Sequence, residues 1–82
     1  MEITKHARKR LEQRKITLNT GNMDMLAKMV DIAYKKGSRE ALLMLDNIAF
    51  VVNIKNRRLV TVLSKDDMNE NIITNVDSVV FA

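Results

Sequence analysis

The sequence predicts an α+β domain: two N-terminal helices followed by an antiparallel sheet of about four strands. Three observations carry that expectation. Apolar residues recur at helical spacing up to about residue 36 and at strand-like spacing from about residue 40. The two glycines, Gly21 and Gly37, stand at the edges of the helical segments. Polar pairs such as Asp46-Asn47 interrupt the apolar runs of the second half, where hairpin turns need them.

The first helix is expected over 4–15. Thr4 can cap it, and Ile3, Ala7 and Leu11 form an i, i+4, i+8 stripe beside a polar row of His6, Arg10 and Arg14. Ile16 and Leu18 then alternate with Lys15 and Thr17 in an extended connection. The second helix is expected over 22–36, capped by Asn22 or Thr20. Met23, Leu26, Met29, Val30 and Ala33 form its apolar face. Lys35 and Lys36 complement the dipole of its last turn, and Gly37 supplies the C′ stop.

Strands are expected near 40–45, 48–54, 58–64 and 72–81. Asp46-Asn47 joins the first two, Lys55-Asn56-Arg57 the next two, and Lys65–Asn69 reads as a loop or one helical turn. The strands are apolar on both faces. Ile48, Phe50, Val52 and Ile54 oppose Ala49, Val51 and Asn53; Leu59, Thr61 and Leu63 oppose Val60 and Val62. An antiparallel sheet wet on one side would alternate apolar with polar. The second face therefore needs a partner, a second copy or a folded-back terminus, unless each helix covers one face.

A chain of 82 residues is one domain, 1–82, with no proline-rich or low-complexity linker. It holds no cysteine and one histidine, which excludes disulfides, thiolate metal sites and multi-histidine zinc; no cofactor is expected. No apolar run reaches the roughly 18 residues of a membrane span, and the charged first 16 residues do not read as a signal peptide, so the cytoplasm is the expected compartment. The net charge of +4 is local. Residues 1–16 hold six basic and two acidic side chains, and the remainder is balanced.

That patch suits nucleic acid, an acidic protein or an anionic surface, or else it is a solvated helix face. Arg10 and Arg14 offer forked donors to carboxylate or phosphate, and His6 is the one imidazole of the chain, a residue type suited to proton transfer. They can bind RNA phosphate and assist cleavage, bind a protein, or clamp carboxylates of the domain itself such as Asp77 or Glu70. Ribonuclease chemistry would need a second proton-transfer group, which the sequence does not mark out. Three aromatics, Tyr34, Phe50 and Phe81, are too few for a base-stacking sheet. Met23, Met25 and Met29 suit an adaptable binding face, although methionine at this spacing more often packs a core.

The chain resembles the small bacterial "flagellar operon protein" family, whose genes lie among those for hook assembly. The matching residues are His6-Ala7, Arg10-Leu11, Arg14 and Ile16; Lys36-Gly37-Ser38; Ala49 through Arg57; Val60-Thr61; Glu70-Asn71; and Thr74 through Ser78. The resemblance implies a flagellar role and brings no established activity, so no catalytic residue is assigned and the chain is not expected to be an enzyme. Candidate binding residues are His6, Arg10 and Arg14, with Asn53, Asn56, Arg57, Asn75 and Asp77 from the matching blocks. The expected partner is a flagellar protein, with a homodimer through the sheet. The first 16 residues are also similar to small toxin-like domains of the RelE ribonuclease fold, which gives the alternative: an RNA-binding or RNA-cleaving domain using His6, Arg10 and Arg14.

Overall fold

The structure is a computed structural model and describes residues 1–68 and 75–82. Its elements are β1 (Glu2–Ile3), α1 (Lys5–Gln13), α2 (Thr20–Lys35), β2 (Glu40–Leu45), β3 (Ile48–Asn53), β4 (Arg58–Ser64), a 3₁₀ turn (Lys65–Asp67) and β5 (Ser78–Phe81). The α+β class stands, with two corrections among the described residues. The sheet has five strands in the order β1-β4-β3-β2-β5, and it is mixed. β2, β3 and β4 run antiparallel, whereas β1 lies parallel to β4 and β5 parallel to β2. One strand also precedes the helices, so the sheet does not simply follow them.

Local signals explain most boundaries. The Thr4 hydroxyl accepts the Ala7 N–H at 3.1 Å and donates to the Val60 carbonyl at 3.1 Å, so one side chain caps α1 and ties it to β4. α2 starts earlier than expected because its N-cap is Asn19, not Asn22 or Thr20. Asn19 and Asn22 exchange side-chain bonds with each other's backbone N–H at 2.7 and 3.1 Å, closing a capping box. Gly37 ends α2 at φ +78°. Asp46 and Asn47 form the β2–β3 turn at φ +52° and +64°. Of the strand expected over 72–81, β5 takes Ser78–Phe81, and residues 69–74 lie outside the described residues.

Both helices pack on one face of the sheet, so the arrangement with one helix per face is overturned. Ala7 and Leu11 of α1, together with Leu26, Met29, Val30 and Ala33 of α2, join Leu43, Phe50, Val52, Leu59, Val62 and Val80 in the main core. A bulge at Val60 corrects the strict alternation expected in β4. Val51 pairs with Thr61 and Val52 with Leu59, leaving Val60 extra and pushed outward. Leu59 and Val62 consequently face the helices together, while Leu63 faces away.

The second face has its own buried cluster of Leu42, Ala49, Val51 and Leu63. Met68 and Val76, from the segment between β4 and β5, pack against it with Met44. Met68 and Val76, rather than a folded-back terminus, therefore shield the middle of this face. Toward β5 the face is open: Val79 is 38% exposed and Phe81 75%.

Candidate functional site

Three surfaces gather the candidate residues, and the first is α1. His6 is exposed and Arg10 half-buried on its open side, where they line a shallow hollow of about 230 Å³ with Lys9 and Gln13. This set offers cationic and amide donors to an anion. Arg14 is diverted from the row. Its guanidinium pairs with the Asp67 carboxylate, which also accepts the Ser64 hydroxyl at 2.8 Å. The Ser64 hydroxyl first, and the Arg14 guanidinium second, hold the Asp67 carboxyl below the usual carboxylate range. The internal clamp expected of the arginines thus exists for Arg14, with a different acid: Asp67 replaces Asp77, and Glu70 lies outside the described residues.

The second surface lies at the end of the sheet where the β3–β4 turn meets the entry to β5. Asn53, Asn56, Asn75 and Asp77 line one hollow of about 540 Å³ with Arg39 and Lys55. Two of these residues have structural work there. The Asn53 side-chain oxygen accepts the Asn56 N–H at 3.0 Å and shapes the turn. The Asp77 carboxylate accepts the Arg39 N–H at 2.5 Å and the Glu40 N–H at 3.4 Å, while its own N–H donates to the Glu40 carbonyl at 2.8 Å. The Ser78 hydroxyl adds a bond to the Ser38 hydroxyl at 2.9 Å. Asp77 and Ser78 together fasten the start of β5 to the start of β2. Arg57 is not part of this hollow. It adopts φ +49° in the turn, and its guanidinium reaches Asp31 of α2 at 2.8 Å.

The third surface was not singled out residue by residue from the sequence. On the open part of the second face, Leu42, Met44, Met68, Val79 and Phe81 line a hollow of about 760 Å³, together with Asp46 and Lys65. Its sequence signal is the two-sided apolarity of β2 combined with the Val79-Val80-Phe81 run. What no pattern reveals is that β5 inserts beside β2 instead of extending the hairpin meander. Among the described residues no cluster of histidine, cysteine, aspartate and glutamate could hold a metal, and no helix is long and apolar enough to cross a membrane.

A protein-family model described as "Putative flagellar" matches residues 59–81. The chain resembles that flagellar family. The matched stretch runs from β4 through β5 and contains Asp67, Met68, Asp77, Val79 and Phe81. The second and third surfaces therefore draw on it, and the exposed row of α1 does not. The match supports a flagellar association for the chain. No curated protein and no solved structure matches it.

Proposed function

We propose that the protein is a flagellar accessory protein that acts by binding other proteins, in hook assembly or its regulation, and that the hollow over β2 and β5 on the second face is the binding site. One observation carries this reading: Phe81, 75% exposed, stands beside an apolar hollow inside the stretch that resembles the flagellar family. Burying an aromatic side chain of this size is worth about 1.5–3 kcal/mol, so leaving it in water is unfavourable unless something covers it. Met44 and Met68 give the hollow adaptable walls, and Asp46 and Lys65, which also line it, offer one charge of each sign to orient a partner.

The test is co-purification from motile cells of the wild-type protein and a Phe81→Glu variant, with mass spectrometry of the retained proteins and measurement of hook completion. A flagellar component held by the wild type and lost by the variant is the expected result. Equal retention by both would remove the hollow from consideration. Loss only in an Arg10→Glu variant would move the binding site to α1.

A further inference from the structure

The two edges of the sheet differ in kind. The β1 edge is only two residues long, and Glu2 pairs there with Arg58 at 3.3 Å. Short length and charge are what protect an edge against strand addition. At the other end, β5 reads Ser-Val-Val-Phe, with no charge, proline or bulge, and among the described residues only β2 pairs with it. Exposed apolar side chains border this edge on both layers. Val79 and Phe81 lie on the second face, and Val80 points into the core.

On the helix layer, α2 packs over β2 and β5. One flank of α2 is turned toward the rest of the fold, since Met23 packs on the core and Asp31 reaches Arg57 of the β3–β4 turn. Helical spacing places Met25 and Ile32, seven residues apart, on the opposite flank, above the β5 edge. They are 38% and 45% exposed.

We infer that this edge pairs with the same edge of a second copy of the chain, β5 against β5 antiparallel about a two-fold axis, forming a continuous ten-stranded sheet. The inference goes beyond the protein-binding reading above, because it assigns the β5 edge and the outer flank of α2, which that reading leaves without a partner. A stable interface buries about 800 Å² per partner. A single extended peptide could use only the four-residue edge and the hollow, and it would leave Met25 and Ile32 in water. A second copy matches both layers at once, α2 flank against α2 flank and hollow beside hollow. Such an interface is isologous, so the same patch serves both subunits.

The register also follows. Residues directly opposite in an antiparallel pair share a face. An axis at Val79 would set each Phe81 against the partner's Asp77, an aromatic ring against a carboxylate. An axis at Val80 sets each Phe81 against the partner's Val79, an aromatic–β-branched pair. The structure assigns the axis to Val80.

Light scattering over a concentration series tests the assembly. The wild type is expected at twice the 9.4 kDa of one chain. Phe81→Glu and Ile32→Glu, one on each layer, should each weaken the dimer by about thirtyfold or more, as loss of an interface hot spot does. Tyr34→Glu, on the flank away from the edge, should leave it intact. A second measurement does not depend on those variants folding well. The chain has no cysteine, so Val79→Cys protein mixed with Phe81→Cys protein should oxidise to the mixed disulfide in preference to either self-linked product. Self-linking of Val79→Cys alone would overturn the register. A wild type that stays at the mass of one chain overturns the inference; if it still captures a flagellar protein through Phe81, the protein-binding reading survives. A dimer unaffected by either glutamate substitution also overturns the inference.

Discussion

Asp77→Ala separates a residue that holds the fold from one that holds a ligand. The Asp77 carboxylate accepts one short bond, 2.5 Å from the Arg39 nitrogen, and a long one, 3.4 Å from the Glu40 nitrogen. A hydrogen bond to a charged group contributes about 1.5–3 kcal/mol, and the exposure of this site argues for the lower end, with little added by the long contact. The expected loss on Asp77→Ala is therefore about 1–2 kcal/mol. A domain of this length has roughly 4–12 kcal/mol in total, so the change is large. At about 4–8 °C per kcal/mol, the melting temperature should fall by about 5–15 °C. Asp77→Asn keeps an acceptor oxygen and should lose about half as much.

Denaturant titration measures the global loss, and amide hydrogen exchange locates it. The β5 amides and the Ala82 N–H, which donates to the Met44 carbonyl at 3.0 Å, should exchange faster in Asp77→Ala while β3 amides change less. Asp77 does not fasten β5 if Asp77→Ala melts within about 0.3 kcal/mol of the wild type with β5 equally protected. Asp77 would then hold nothing in place, and its carboxylate would return to the groups available to a ligand.

Gly37→Ala tests the end of α2: no atom lies within 4 Å of the added Cβ, so the cost is that of φ +78° alone, about 1 kcal/mol in a thermal melt, and Gly37→Asn should recover part of it. Because the Asp67 carboxyl is held below its ordinary range, its contribution is present above the usual carboxylate range and is lost as pH falls through its folded value. Acid titrations of stability should accordingly be steeper for the wild type than for Asp67→Asn or Arg14→Met, and superimposable curves would refute the clamp. Short single-stranded RNA should bind only weakly and without preference near physiological salt. Tight binding that falls steeply with salt and is lost in His6→Ala and Arg10→Ala would favour the RNA reading instead.

Residue pattern determined the class and most of the elements. Both helices were legible because Ala7 and Leu11, and then Leu26, Met29, Val30 and Ala33, carry a 3.6-residue period. The β2–β3 hairpin was legible because Asp46 and Asn47 tolerate positive φ, and Gly37 marked the stop of α2 for the same reason. The two-sided oiliness of β3 was also visible, and its second-face residues Ala49 and Val51 are buried as that pattern requires. These are local properties, set by which side chains a helix or a pleat turns the same way.

Tertiary structure decided what joins what. Strand pairing carries little local signature, so the parallel insertion of β5 beside β2 and the short β1 beside β4 could not be read from spacing. The bulge at Val60 reverses the faces expected of β4 residues without leaving a glycine to announce it. The candidate residues divide for the same reason. Asn53, Asn56, Asn75 and Asp77 meet across two turns that are distant in sequence, whereas Arg57 and Arg14 are drawn off to Asp31 and Asp67, partners that only the folded chain brings within reach. Above all, the sequence shows that the second face must be shielded but not by what. The packing of Met68 and Val76 over its centre, with Phe81 left uncovered at the edge, is a long-range outcome that no local spacing encodes.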